Sequence, residues 1–211
     1  MEAGVNKVYL EIGGRYLIEY SLETVIRNEL VTEVVLVIRP DDVERIEQLN
    51  LDHLDRPSIR TTFGGATRHE SEYAGISALR AEIENGHLDV VAVHDAARPF
   101  MSDNLLRRAL LQAASTGSAL PGCPVTDTLF LRDAGGFAEA DHYVWVQTPQ
   151  VFDARTLLAA HDAAAAAGYQ GVDTAEVVHS FSEQAIELVD GEPSNIKVTY
   201  PGDLSSDEPP S

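Results

Sequence analysis

Residues Val90–Phe100 read VVAVHDAARPF. Three valines and an alanine run into His94, and the apolar run then breaks into Asp95, two alanines, Arg98 and Pro99. A short continuous apolar run with a polar ending describes a buried parallel strand whose carboxyl end opens onto a loop. In open α/β sheets, ligands sit in the crevice beyond such strand ends. An acid and a base three residues apart on that loop suit a ribose, a phosphate or a metal-bound phosphate. The same pair can equally just close a local turn, since Asp near Arg is common in loops.

Segments of helix and strand length alternate around this stretch. Upstream, residues 1–6 read as loop, VYLEI after Lys7 as a short apolar segment, and Gly13-Gly14 as a turn. The stripe Leu17, Tyr20, Leu22, Val25, Ile26 predicts a helix over Tyr16–Leu30. Val34–Ile38 is a strand, Asp41-Asp42 can cap a helix to about Leu49, and Pro57–Phe63 is a weaker strand leading to Gly64-Gly65. Helices follow over Thr67–Ile83 and, with Ser102 or Asp103 as cap, to Ala114. Alternation at this spacing predicts crossover units, hence an α/β fold with a mostly parallel sheet and helices on both faces.

Beyond Gly117 the pattern changes. Ser118–Val125 reads as another core strand, and Thr126–Gln147 as two extended segments around the turn Asp133-Ala134-Gly135-Gly136. This protruding β-arm, about 126–147, exposes Phe130, Tyr143 and Trp145 to a partner subunit or to its own sheet. Alanine-rich Asp153–Ala167 is helical, Asp173–Phe181 a short helix and Ala185–Val189 a short strand. The ending SSDEPPS, 205–211, reads as a disordered, solvated tail. With no repeat and no linker, a single domain spans 1–204.

The 211 residues contain 34 Asp and Glu against 15 Lys and Arg, a net charge of -19. That balance argues against a nucleic-acid surface. It leaves room for a phosphorylated small molecule if the few cations converge on one cleft. No run approaches the ~20 apolar residues of a membrane span, and no signal peptide opens the chain. One cysteine, Cys123, allows no internal disulfide and fits a reducing compartment, so a cytoplasmic location is expected.

Four further segments bear on chemistry. In GGATRHES, 64–71, two glycines at a strand–helix junction let backbone approach a ligand, and free N–H groups at a helix start suit anions; a plain turn also needs glycine. Arg68 is a ligand contact or a surface residue, and Ser71 a contact or a core-facing hydroxyl. Threonines of PVTDT, 124–128, and TPQ, 148–150, suit phosphate at strand ends, or simply strand formation. In NIKVT, 195–199, the second of only two lysines lies among apolar residues, where it meets a specific partner or snorkels to water.

Taken in this order, GG-x-x-R-x-x-S-x-x-AG at 64–75, VHDAARP at 93–99, P-V-x-DT at 124–128, TPQ-x-F at 148–152 and NIKVT at 195–199 resemble the cytidylyltransferases of the isoprenoid pathway. Those enzymes join CTP to 2-C-methyl-D-erythritol 4-phosphate and release pyrophosphate. The resemblance runs from about Asn6 to Leu204. It implies a Rossmann-like nucleotidyltransferase fold and a homodimer through exchanged arms. It also implies Mg²⁺ bound with CTP, with no protein ligand to the metal assigned. Gly64, Gly65, Arg68, Ser71 and Asp95 would meet the nucleotide, and Asp95, Arg98, Thr128 and Thr148 the acceptor. Lys7 and Lys197 would be catalytic, Lys7 at the α-phosphate and Lys197 at the acceptor phosphate.

Three departures bear on activity. The family begins with an apolar mid-sheet strand and a glycine-rich, arginine-bearing loop, whereas only MEAGV precedes Asn6 here; a start codon further upstream is the expected explanation. The arm's usual arginine, eight residues before Thr148, is Ala140, and Arg132 on the facing segment is the candidate substitute. An acidic residue that often follows the glycine pair is Ala66. Alternative readings are a pentitol or pentulose 5-phosphate cytidylyltransferase, and a dimeric nucleotide-binding remnant without turnover.

Overall fold

The computed structural model describes residues 6–49 and 59–203. Expectations on residues 1–5, on Pro57 and Ser58 and on the tail fall outside them. After a 3₁₀ turn at Lys7–Tyr9, strands β1 (Glu11–Ile12) and β2 (Arg15–Tyr16) form a small hairpin, its turn made by Gly13 and Gly14 at positive φ. Helix α1 (Leu17–Arg27), strand β3 (Val35–Ile38), α2 (Val43–Glu47) and β4 (Arg60–Phe63) follow. The helix predicted over Thr67–Ile83 is two, α3 (Arg68–Ser77) and α4 (Arg80–Glu84). Then come β5 (Val90–Val93), α5 (Asp103–Thr116) and β6 (Ser118–Pro124). The Ser102 hydroxyl caps α5 by accepting the Leu105 N–H, and Gly117 closes it at φ 89.

In the arm, β7 (Leu129–Leu131) pairs with β8 (Gly136–Ala138) across the predicted turn. The second predicted extended segment does not stay with the first. After Ala140–His142 it continues as β9 (Val144–Val146), which pairs antiparallel with β6 and roots the arm in the central sheet. The chain ends with β10 (Gln150–Asp153), α6 (Ala154–Ala166), α7 (Thr174–Phe181) and β11 (Leu188–Asp190).

The central sheet runs β11-β6-β10-β5 with β9 on β6, and β3-β4 is a separate parallel pair. β11 is parallel to β6, while β10 runs antiparallel to both β6 and β5. Alternation along β10 divides two cores: Val151 joins Leu105, Leu106 and Ala109 of α5, whereas Phe152 joins Ile76, Leu157 and Val177. Helices therefore cover both faces. Between the facing edges of β3 and β5 lies an apolar cavity of about 460 Å³, lined also by Ile18, Leu22, Ile76 and Leu110. It opens toward Asn6, Gly64, Arg68, Glu72 and Asp95.

Candidate active site

The loop after β5 is closed by backbone, because the Arg98 N–H donates to the Asp95 carbonyl at 2.9 Å. No ion pair joins the Asp95 and Arg98 side chains among the described residues. His94 braces the turn from beneath. Its Nε2 lies 3.2 Å from the Arg98 carbonyl, which can only accept, so Nε2 bears the proton. Nδ1 then accepts from the Thr148 hydroxyl at 3.1 Å, and the same hydroxyl accepts the Asp95 N–H at 3.0 Å. Burial pushes His94 down to about 4 despite the nearby Asp95, so the imidazole is neutral near pH 7.

This bracing presents Asp95 to both cationic partners. Lys197 Nζ sits 2.7 Å from one carboxylate oxygen, and Arg68 Nη2 sits 3.5 Å from the other. Burial pushes the Asp95 carboxyl up, but Lys197 and Arg68 outweigh it and hold it below the ordinary range. Lys197 reaches this point because the buried Asn195 donates to the Thr148 carbonyl at 2.9 Å and the Val198 N–H donates to the Ala97 carbonyl at 2.8 Å. The segment NIKVT joins no sheet among the described residues. Lys7 faces the same group: burial first, then the like charge of Lys197, lower its ammonium, while Asp95 and Asp203 raise it. Two lysines 190 residues apart in sequence repel one another here, an arrangement that an anion between them would relieve.

Gly64 and Gly65 form the opposite wall. A Cβ on Gly64 would come within 2.6 Å of Ser71 Oγ, and one on Gly65 would collide with Glu70, so both positions need glycine for closeness to α3. The Thr67 side chain caps that helix through the Glu70 N–H, and the Ser71 hydroxyl donates to the Thr67 carbonyl at 2.8 Å. Arg68 projects from the first turn, donating to the Val172 carbonyl at 3.0 Å and meeting Glu72 at 2.8 Å and Asp173 at 3.9 Å.

Other predicted residues take different places. Arg98 spans two chain segments, donating to the Asn195 carbonyl at 2.8 Å and the Val146 carbonyl at 3.2 Å, and so ties NIKVT to the arm's root. Thr148 is 3% exposed and commits its hydroxyl hydrogen to His94, leaving no donor for a phosphate. Thr128 is exposed ahead of β7, and no contact links it to the Asp95 cluster among the described residues. Glu72, Asp173 and Asn195 were not anticipated. Glu72 meets Arg68 one turn away on α3, whereas Asp173 approaches Arg68 from 105 residues away and Asn195 reaches Thr148 from 47 away, contacts that only the fold makes.

Lysine and arginine side chains gathered beside a glycine-lined wall suit a phosphorylated ligand, and the comparisons place the chain among the nucleotidyltransferases. Within that class the comparisons are specific. A family model described as IspD: 2-C-methyl-D-erythritol 4-phosphate cytidylyltransferase matches residues 1–209, and the chain belongs to that family. A Geobacillus kaustophilus protein named 2-C-methyl-D-erythritol 4-phosphate cytidylyltransferase is 37% identical over 209 residues, covering 97% of this chain and 88% of the relative. The crystal structure of 4-diphosphocytidyl-2C-methyl-D-erythritol synthase from Anaerococcus prevotii superposes with a TM-score of 0.84 at 29% identity, covering 96% of this chain and 88% of that one. The Thermus thermophilus structure of a 2-C-methyl-D-erythritol 4-phosphate cytidylyltransferase gives 0.73 at 32% identity, covering 94% and 90%.

Proposed function

We propose that this protein transfers the cytidylyl group of CTP to 2-C-methyl-D-erythritol 4-phosphate. Family membership over nearly the full chain supports the reaction, and the convergence of Lys7, Lys197, Arg68 and Asp95 supports where it occurs. An oxygen of the acceptor phosphate attacks the α-phosphorus of CTP. One phosphorus–oxygen bond forms, the bond to the β-phosphate oxygen breaks, and pyrophosphate leaves with its electron pair. The nucleophile is already an anion, so no residue must remove a proton. The barrier lies in aligning two anions and neutralising the charge that spreads over the α-phosphate.

Lys7, recessed and close to Lys197, is the cation at the α-phosphate, and Lys197 holds the acceptor phosphate. Asp95 orients Lys197 through their 2.7 Å contact, whose ammonium keeps N–H directions for a phosphate. Gly64, Gly65 and Ser71 line the nucleotide side. Arg98 and Thr148 act by fixing the Asp95 loop and NIKVT. Thr128 and Arg132 reach an acceptor phosphate only across the dimer. Mg²⁺ arrives with the triphosphate. The described residues do not fit a metal cage in the cleft, because Asp95 is already compensated by Lys197 and Arg68, and the one trio of clustered ligand atoms, Glu139, Asp141 and His142, lies exposed on the arm. The arm's exposed Phe130, Leu131, Phe137 and Trp145 support a homodimer. No described helix is long and apolar enough to cross a membrane; together with the single cysteine this supports a cytoplasmic place. Incubation with CTP, Mg²⁺ and each of methylerythritol phosphate, ribitol 5-phosphate and ribulose 5-phosphate tests the reading. Pyrophosphate release with the first alone is expected, and release with another acceptor only would overturn it.

A further inference from the structure

Lys197 lies in a segment with no strand pairing among the described residues, so no ladder of backbone hydrogen bonds fixes where its side chain begins. A side chain just before Thr148 takes over part of that task. Gln147 follows β9 and is only 6% exposed, and its own N–H donates to the Pro121 carbonyl of β6 at 2.8 Å. Its side-chain amide then pairs with the backbone of Glu192 in both directions. Nε2 donates to the Glu192 carbonyl at 2.7 Å, and Oε1 accepts the Glu192 N–H at 3.0 Å. Nε2 also lies 3.3 Å from the Asn195 carbonyl, and Oε1 lies 3.4 Å from Asn195 Nδ2. Gly191 makes room for the amide, since a Cβ there would come within 2.7 Å of Gln147 Oε1. Asn195 is wholly buried and its N–H donates to the Glu192 carbonyl at 2.9 Å, closing a turn at 192–195. Lys197 follows two residues later.

We propose that Gln147 is a positioning residue: it ties the 192–195 turn to the central sheet and so sets the place of Lys197 against the acceptor phosphate. The inference rests on the reading of Lys197 as the cation that holds that phosphate. Two other ties to NIKVT, from the Arg98 guanidinium and the Ala97 carbonyl, come from the Asp95 loop and hold Lys197 to its partner Asp95. The Gln147 amide and the Asn195 bond to the Thr148 carbonyl refer the segment to the sheet instead. A neutral amide is needed, because one side chain must both donate to and accept from Glu192. A carboxylate would turn a second oxygen on the Glu192 carbonyl, and an apolar chain would leave a buried N–H and a buried carbonyl unpaired. Either change lets NIKVT shift, and transfer between two bound phosphates is sensitive to their alignment. Gln147 is covered by the segment it holds, so it acts through Lys197 and not on a substrate.

The test is steady-state kinetics of the full chain with CTP, Mg²⁺ and methylerythritol phosphate, together with calorimetric titration of CTP. Gln147→Met keeps the length of the side chain and removes both polar atoms. It is expected to raise the KM for the acceptor about tenfold and to lower kcat, with the Kd for CTP within about twofold of wild type. Acceptor kinetics like those of the wild type, or affinity for CTP lost in step with the acceptor, overturns the proposal. Gln147→Glu adds a rescue, because a protonated carboxyl donates and accepts as the amide does. Its acceptor KM, taken as a ratio to wild type at the same pH, is expected to fall toward one from about pH 9 to about pH 6. A ratio that does not change with pH overturns the proposal. In substrate-free protein labelled with ¹³C at lysine Cε, the Lys197 signal, identified by its loss in Lys197→Met, is expected to move in Q147M. That readout does not depend on the reaction. A wild type that does not use methylerythritol phosphate overturns the functional reading alone, whereas an unmoved Lys197 signal overturns the positioning role. Should Q147M fail to fold, the pH series and the Lys197 signal of Q147E decide the matter.

Discussion

Replacing Thr148 by valine removes one hydroxyl and keeps the shape of the side chain. That hydroxyl joins two groups: it accepts the Asp95 N–H at 3.0 Å and donates to His94 Nδ1 at 3.1 Å. Thr148 is buried, so water cannot substitute for it without a rearrangement. A buried polar group left unpaired costs about 1–3 kcal/mol, so with two orphaned groups and an extra methyl in partial compensation, T148V should lose about 2–4 kcal/mol. The Asp95 loop would also lose its anchor, and Lys197 with it. Urea unfolding at pH 7.5, followed by far-UV circular dichroism, gives the stability, and pyrophosphate release gives the turnover. Thr148→Ser restores the hydroxyl and should recover most of both. A T148V protein within about 0.5 kcal/mol of wild type would refute the reasoning, as would a T148S variant as damaged as T148V.

Lys197→Ala should lower turnover at least a hundredfold while changing stability by less than about 1 kcal/mol, because Lys197 is the exposed end of the pair and Arg68 still meets the Asp95 carboxylate; parallel rate and unfolding measurements check this. Gly64→Ala drives a Cβ to 2.6 Å from Ser71 Oγ. It should cost about 1–3 kcal/mol and raise the KM for CTP more than it lowers kcat, as steady-state kinetics would show. His161 is wholly buried, stacked 5.2 Å from His69, and burial and then His69 push it down to about 4. The unfolded chain therefore binds a proton that the folded protein refuses between about pH 6.5 and 4, and stability falls with pH there by up to about 3 kcal/mol. His161→Phe should flatten that part of the unfolding profile. Glu72 works in the opposite sense: its raised carboxyl favours the folded state as pH falls from about 7 toward 4.5, so E72Q should gain stability at pH 8 and not at pH 5. Wild-type sedimentation as a dimer is what the proposed homodimer requires, and replacing Phe137 and Trp145 together by serine should then shift it to monomer.

Local patterns made much of this legible. VVAVHDAARPF showed a strand and the loop that carries Asp95, but not its surroundings: only Val91 of β5 is fully buried, and its pairing among the described residues is antiparallel, with β10, instead of the expected parallel one. The helix cap at Ser102 stood where a short polar side chain precedes apolar periodicity. The direction of β10 was not legible, because QVFD is equally apolar in either sense and its antiparallel course depends on where β9 leaves it. NIKVT has strand composition, yet its hydrogen bonds go to a loop, with Val198 on Ala97 and Asn195 on Thr148. The motif residues were visible as a resemblance, but their duties were not. Arg98 and Thr148 look like ligand contacts in sequence, and only packing reveals that their polar atoms are occupied by Asn195, Val146, His94 and Asp95. Glu72 is one acidic residue among 34 until α7 and the Asp95 loop surround it.

The chain's two lysines are both assigned to one cleft, so protein labelled with ¹³C at lysine Cε yields two signals, both of them informative. Followed against pH, Lys7 should titrate below the ordinary lysine value, in keeping with its burial and with Lys197 nearby. Its titration should move up in Lys197→Met and again when CTP is added to the wild type, with both signals shifting on CTP. Two lysines that titrate independently, with at most one responding to the nucleotide, would contradict a shared phosphate-binding cleft.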